Sequence, residues 1–234
     1  MSAAGRSDTP RQIVIFGAGQ AAVTATRYFH ADTAHKVVGY AVDAGFLKAP
    51  ELLGSPVVAI EEVVRRFSPD QVFAFVPMGA ARMNQVRADK YALMKSLGYR
   101  FVSYVHSSND VHEKGSVGEN CFILERQTTN YDCVIGDNVV MWSGCHIGDG
   151  SRVGDNCFFG SHVVVNGFVD VGAGSYLSSN CTLAHGIKLG ARSFIGANAL
   201  IASDTTEGAV HVVEPTPAMG IDSRRFVKLL RHDI

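Results

Sequence analysis

Apolar positions recur every six residues through the second half of the chain. The register runs from Val117 through Ile123, Thr129, Ile135, Met141, Ile147, Val153, Phe159, Val165, Val171, Leu177, Leu183, Leu189 and Ile195 to Ile201 without a slip. Fourteen of these fifteen anchors are large and apolar, and the slot two residues before the anchor holds all five cysteines, Cys121, Cys133, Cys145, Cys157 and Cys181. A short fixed period of this kind builds a solenoid, in which each unit stacks on the next to bury one continuous core. Three six-residue sides make an 18-residue coil of short parallel strands, and the run predicts about five coils. Glycine often follows the anchor (Gly118, Gly136, Gly148, Gly154), which predicts a corner with positive φ at that position.

The first half has a different pattern. Gln12 to Gly19 reads QIVIFGAG, a continuous apolar run ending in glycines, and helix-forming residues follow from Ala21 to Phe29. This predicts a buried parallel strand, a glycine turn and a helix. Further strands are expected at Lys36–Val42 and Gln71–Val76, a helix at Ala80–Leu97, and a return strand at Arg100–Val105. Strands alternating with helices predict a small Rossmann-like α/β sheet. In such a turn Gly17 and Gly19 let a phosphate approach the helix N-terminus, and Asp43, at the end of the second strand, is placed to bind a sugar hydroxyl. The expected organisation is a leader (1–11), a nucleotide-binding α/β domain (12–106), a β-helix (107–203), and a C-terminal loop with a short capping helix (204–234).

Composition narrows the function classes. Twenty-one basic and 22 acidic residues give a net charge of −1, without the basic footprint of a nucleic-acid or anionic-membrane binder. No run is apolar for 18 residues and the first eleven residues lack an apolar signal core, so a cytoplasmic protein is expected. By register the cysteines face the core and read as packing residues rather than as disulfides or metal ligands.

The six-residue period resembles the left-handed parallel β-helix of hexapeptide-repeat acyltransferases. A Rossmann-like module followed by such a helix is similar to the bacterial sugar acyltransferases that include sialic acid O-acetyltransferases and nucleotide-amino-sugar N-acetyltransferases. Met83-Asn84, Arg87, Lys90-Tyr91 and Ser96-Leu97-Gly98-Tyr99 also resemble one branch of that family. The resemblance implies a CoA thioester (acetyl-CoA) as acyl donor, no metal, and a nucleotide-linked sugar as acceptor in surface-polysaccharide or glycan biosynthesis. It also implies a homotrimer with active sites between subunits. Gly17, Gly19, Gln20, Asp43, Asn84, Arg87 and Tyr131 are the expected substrate-binding residues. Gly167, His185, Gly196 and Ala197 are expected to hold the CoA arm.

Acyl transfer needs a base for the attacking amine or hydroxyl and donors for the oxyanion. Residues 18 apart stack about 4.8 Å apart, as neighbouring strands do. One corner column is then Tyr131, Asp149, Gly167 and His185, and a second is Arg126, Gly144, His162 and Asn180 flanked by Glu125, Ser143, Ser161 and Ser179. The third, with Asp137-Asn138, Asp155-Asn156 and Ala173-Gly174, reads as solvent-exposed turns. In the family pattern that Gly167–Gly172 matches, the catalytic histidine falls 18 residues earlier, where this chain has Asp149. His162, His146 and His185 therefore compete as the base, with Asp149 as an orienting carboxylate. Two rival readings use the same coil. One is a γ-carbonic-anhydrase-like metal lyase, whose ligand spacing the histidines do not match. The other is a catalytically silent nucleotide-sugar binder.

Overall fold

The computed structural model describes residues 9–111 and 116–229, so the expected leader lies outside the described residues up to position 8. The α/β domain is a five-stranded sheet of order β3-β4-β2-β1-β5. Its strands are β1 (Gln12–Phe16), β2 (Lys36–Val42), β3 (Glu51–Leu52), β4 (Ser55–Ala59) and β5 (Val72–Phe75). All the pairings are parallel except that of β3 with β4, a hairpin the sequence reading missed. The helices are α1 (Gln20–Asp32), α2 (Val63–Arg66) and α3 (Gln85–Ser96).

Alternation along β1 explains the two layers. Ile13 and Ile15 face α1, with Ala22, Ala25 and Phe29, while Val14 and Phe16 face α3, with Met94. The expected helix from Ala80 begins only at Gln85, because Arg82, Met83 and Asn84 all have positive φ (52°, 53° and 68°). Three consecutive left-handed residues cannot continue a right-handed helix.

The second domain is the expected left-handed parallel β-helix, with three stacked sheets of seven, six and five two-residue strands. Each strand pairs with the one 18 residues later, as in Val140↔Phe158, Thr128↔His146 and Val134↔Arg152. The stack starts at Tyr104–Val105 and ends at Val210–His211, so it overruns the expected limits of 107 and 203. Its first side runs from Tyr104 to His211, its second from Asp110 to Ile201 and its third from Ser116 to Leu189. The five cysteines are free and buried among the anchors, and burial pushes the Cys121, Cys157 and Cys181 thiols up to about 12.

The corners correct the expectation about glycine. Positive φ occurs three residues after the anchor, in every corner from Asn120 to Asn198, and not at the glycines that directly follow the anchor. Those glycines serve close approach instead. A Cβ on Gly118 would lie 2.7 Å from Gly136 O, and one on Gly172 would lie 2.3 Å from Ala191 N. The α-carbon must nearly touch the next coil, which only glycine permits.

The corner between the third and first sides is not a set of exposed turns; the α/β domain docks there. Asn120, Asn138 and Asn156 form a ladder, with Asn120 Nδ2 donating to Asn138 Oδ1 and Asn138 Nδ2 to Asn156 Oδ1, both at 2.7 Å. Its first rung, Asn120 Oδ1, accepts from Val76 N at 2.8 Å, at the end of β5. Arg87 on α3 is 0% exposed. It donates to the carbonyls of Asn138, Asn156 and Cys157 in the coil and of Met78 and Gly79 in its own domain. Asn84 adds bonds to Gly174 O and Ser175 O. Farther along, α1 lies over the first side of the coil, and Phe29, Tyr104, Phe122, Leu124 and Val140 share one core.

At the other end of α1, Tyr28 OH donates to Glu125 at 2.9 Å, and Asp32 accepts from Tyr104 OH and Ser107 N. The C-terminal helix α4 (Ser223–Leu229) buries none of its residues, so it does not cap the solenoid as expected.

Two outcomes follow for the junction. Arg87→Met leaves buried carbonyls without donors and should cost on the order of 3 kcal/mol in urea unfolding, with new proteolytic cleavage between the domains. Acid should loosen the same junction. Burial pushes the Asp32 and Glu125 carboxyls up, but hydrogen bonds outweigh it, from Ser107 and Tyr104 to Asp32 and from its own backbone, Tyr28 and Ser143 to Glu125. Both therefore lie below the usual carboxylate range. Their stabilisation is present above about pH 4 and is lost as pH falls through the depressed folded values. Asp32→Asn with Glu125→Gln should flatten this acid limb in thermal melts.

Candidate active site

The glycine turn after β1 opens onto a cavity of about 430 Å³ at the C-terminal ends of β1 and β2. Gly17 has φ +110°, which a side chain rarely adopts, and its N–H donates to Ala41 O at 2.7 Å. Gly19 is the N-cap of α1, without a side-chain cap and with no acidic residue in the first turn, so the helix end favours an anion. Apolar walls come from Val42, Phe46, Leu52, Val57, Met78 and Val86. Asp43 lies in the cavity, in an ion pair with Lys90 at 2.6 Å. Such a crevice beyond the carboxyl ends of parallel strands is where open α/β sheets bind ligands.

The structure thus brings Gly17, Gly19 and Asp43 together. Gln20 starts α1 beside them, exposed, with its amide on Thr24. Asn84 and Arg87, expected to line this pocket, do not reach it. Both are buried at the domain junction, where every guanidinium nitrogen of Arg87 already donates to protein oxygens. Burial pushes the Arg87 guanidinium down to about 10, so it remains a cation at neutral pH. The sequence missed Lys90 as a pocket residue, although its place four residues after Val86 on α3 puts the two on one helical face.

On the coil, the corner between the first and second sides carries His162. Its φ of 59° is the left-handed value that every corner of the coil takes. Its N–H bonds Ser143 O at 3.0 Å, and its ring lies over Gly144, where a Cβ would sit 2.5 Å from Nδ1. Glycine at 144 is therefore what lets this imidazole lie flat on the coil.

The corner between the second and third sides carries Tyr131, Asp149, Gly167 and His185. Asp149 accepts from Tyr131 N at 3.2 Å and from the Asn130 amide at 3.4 Å, the stacking job that Asp137 and Asp155 do elsewhere. The His185 ring lies against Gly167 and packs edge-on to Phe168, which is 63% exposed. Among the described residues the Gly167 N–H has no protein acceptor. His146 projects half-buried from the second side, between Thr128 and Val164. Gly196 is buried in the last coil, bonded to His211 O, with Ala197 exposed beside it.

Within one chain these parts are apart. His162 and the Asp149–Gly167 corner stand at opposite ends of the second side. The glycine turn lies at the N-terminal end of α1, whereas Tyr28, near its C-terminal end, bonds Glu125 in the His162 corner. The eight-residue step from Gln20 to Tyr28 spans about 12 Å of helix.

Family models match the coil: the bacterial transferase hexapeptide (six repeats) over residues 132–167, and the hexapeptide repeat of succinyl-transferase over 152–185. No protein of curated function matches the chain by sequence. Among solved structures, a histidine mutant of perosamine N-acetyltransferase from Caulobacter crescentus, in complex with CoA and GDP-perosamine, is 23% identical with a TM-score of 0.77, covering 90% of this chain and 97% of that one. The acetyltransferase domain of PglB from Neisseria gonorrhoeae, in complex with acetyl coenzyme A, is 16% identical with a TM-score of 0.77, covering 90% and 100%. WeeI from Acinetobacter baumannii is 14% identical with a TM-score of 0.65, covering 88% and 98%. The chain carries bacterial transferase hexapeptide repeats and has the two-domain fold of these acetyltransferases.

Proposed function

We propose that this protein is an acyl-CoA-dependent acyltransferase that acetylates an amino or hydroxyl group of a nucleotide-linked sugar in the cytoplasm, for surface-polysaccharide or glycan biosynthesis. The observation that carries the reading is the combination, in one chain, of an anion-receptive glycine-turn pocket with a transferase-type coil that exposes histidine at two corners. Relatives of this fold hold CoA and GDP-perosamine, and acetyl coenzyme A.

In the proposed mechanism His162 takes the proton from the attacking amine or hydroxyl as that group adds to the thioester carbonyl. The Gly167 N–H receives the oxyanion of the tetrahedral intermediate. Collapse expels the CoA thiolate, which recovers the proton from the His162 imidazolium. His146 and His185 remain the alternative bases. Because the His162 corner and the Gly167 corner are at opposite ends of one side, a homotrimer would complete the site by setting one copy's His162 against the next copy's Gly167 and Asp149. The open last coil, with Gly196, Ala197 and the groove of about 520 Å³ from Leu200 to His211, is the proposed berth of the CoA arm. No described helix is long and apolar enough to cross a membrane.

Thiol release from acetyl-CoA with nucleotide-linked amino sugars tests the reading. His162→Ala should lower kcat by roughly 100-fold or more with KM little changed. Gly144→Ala, whose Cβ would collide with the imidazole, should do nearly the same while the protein stays folded. An unchanged kcat in both variants would move the base to His146 or His185. Gly17→Ala should instead weaken nucleotide binding, since φ +110° strains any side chain there; equilibrium dialysis with labelled nucleoside diphosphate measures it.

A further inference from the structure

The α3 helix faces two ways. Arg87, with Met94 two turns on, is buried on the domain and its junction, whereas Val86 and Lys90 line the glycine-turn cavity. The Lys90 ammonium is fixed on two sides. Asp43 Oδ1 lies 2.6 Å away, and the Phe16 ring centroid lies 5.3 Å from the nitrogen. Its side chain is only 22% exposed, and Asp43's is 37% exposed. An ammonium has three donors, and among the described residues Asp43 is Lys90's sole hydrogen-bond acceptor. A lysine held this far inside a cavity gains little from an exposed-type ion pair alone.

The Gly17–Gly19 turn and the uncapped start of α1 line the same cavity and also favour negative charge. Lys48, the other cation lining the cavity, comes from an exposed loop and has no recorded partner among the described residues.

We propose that Lys90 is the residue that binds the diphosphate of the nucleotide-linked sugar, held in place by Asp43 so that its ammonium faces the phosphates resting on the Gly17–Gly19 turn. This rests on the nucleotide-sugar reading above. Asp43 then has two roles: it accepts from a ribose hydroxyl through one oxygen and orients Lys90 through the other. The pocket is thereby selective for a ligand whose charge lies one diphosphate beyond its ribose, and a nucleoside alone leaves the Lys90 donors unused.

The test is calorimetric binding of GDP, UDP and dTDP, and of the matching nucleosides, to the full chain and to Lys90→Met, Lys90→Arg, Lys48→Met and Asp43→Asn. For the diphosphate that binds, Lys90→Met should lose about tenfold or more in affinity, the scale of one charge-assisted hydrogen bond. Its salt dependence should become shallower, while nucleoside affinity and thermal midpoint stay near wild type. Lys90→Arg should recover part of the loss. Asp43→Asn should weaken nucleoside and diphosphate together, and Lys48→Met should change little. Undiminished diphosphate affinity in a folded Lys90→Met variant overturns the Lys90 role alone, as does a loss that appears in Lys48→Met instead. A wild-type chain that binds none of the three diphosphates overturns the nucleotide reading and the Lys90 role together.

Discussion

Arg87 is the contact on which the two domains depend. A guanidinium with no exposure is costly to bury, and among the described residues no carboxylate offsets it. Backbone carbonyls do so instead, and they converge only because the asparagine ladder holds successive coils in one register. The planar fork suits this task, since one side chain reaches two coils and the loop after β5 together, which an ammonium could not do. Fixing that corner also fixes α3, and with it the height of Val86 and Lys90 against the glycine turn. The glycine-turn cavity is thus set by a contact that lies outside it.

The β-helix imposes a second constraint. Every corner from Asn120 to Asn198 needs a left-handed residue three positions after the anchor. Asparagine and glycine take such values readily, and they fill most of these positions. His162, Phe168, Arg126 and Arg192 do not, and each is paid for by the stacking of the coils around it. Three of these exceptions, Arg126, His162 and Phe168, stand at the chemically equipped corners. That pattern fits a site where side-chain chemistry has displaced the residue the backbone would prefer.

Much of this was legible in the sequence, for physical reasons. The six-residue period fixed the coil, because a side chain out of register would leave the core. The strand that opens at Gln12 and the strand Lys36–Val42 were readable as buried apolar runs next to turn signals. The turn Gly17–Gly19 could be placed because few residues accept φ +110°. Tertiary context hid the rest. Asp-Asn at a corner looks solvated in one dimension, yet Asn138 is buried under another domain. Asn84 and Arg87 carried the right polarity for a ligand site, and only the path of the chain shows that protein carbonyls take up all their donors. The short hairpin β3–β4 had no period to reveal it, though Leu53-Gly54 marked its turn. Asp149 stands in the sequence where the family pattern has a histidine, but its bonds to Tyr131 N and Asn130 appear only when coils stack.

The central claim is that one copy's His162 works with the next copy's Gly167 corner. Mixing two inactive variants tests it most directly: His162→Ala, which keeps its Gly167 N–H, and Gly167→Pro, which loses that N–H and keeps its histidine. Refolded together in equal amounts, they should regain about a quarter of wild-type turnover, because one neighbouring pair in four joins an intact histidine to an intact Gly167 in a closed ring. A mixture that co-assembles, shown by pull-down of one tagged variant with the other, yet stays as inactive as its parents would contradict the claim.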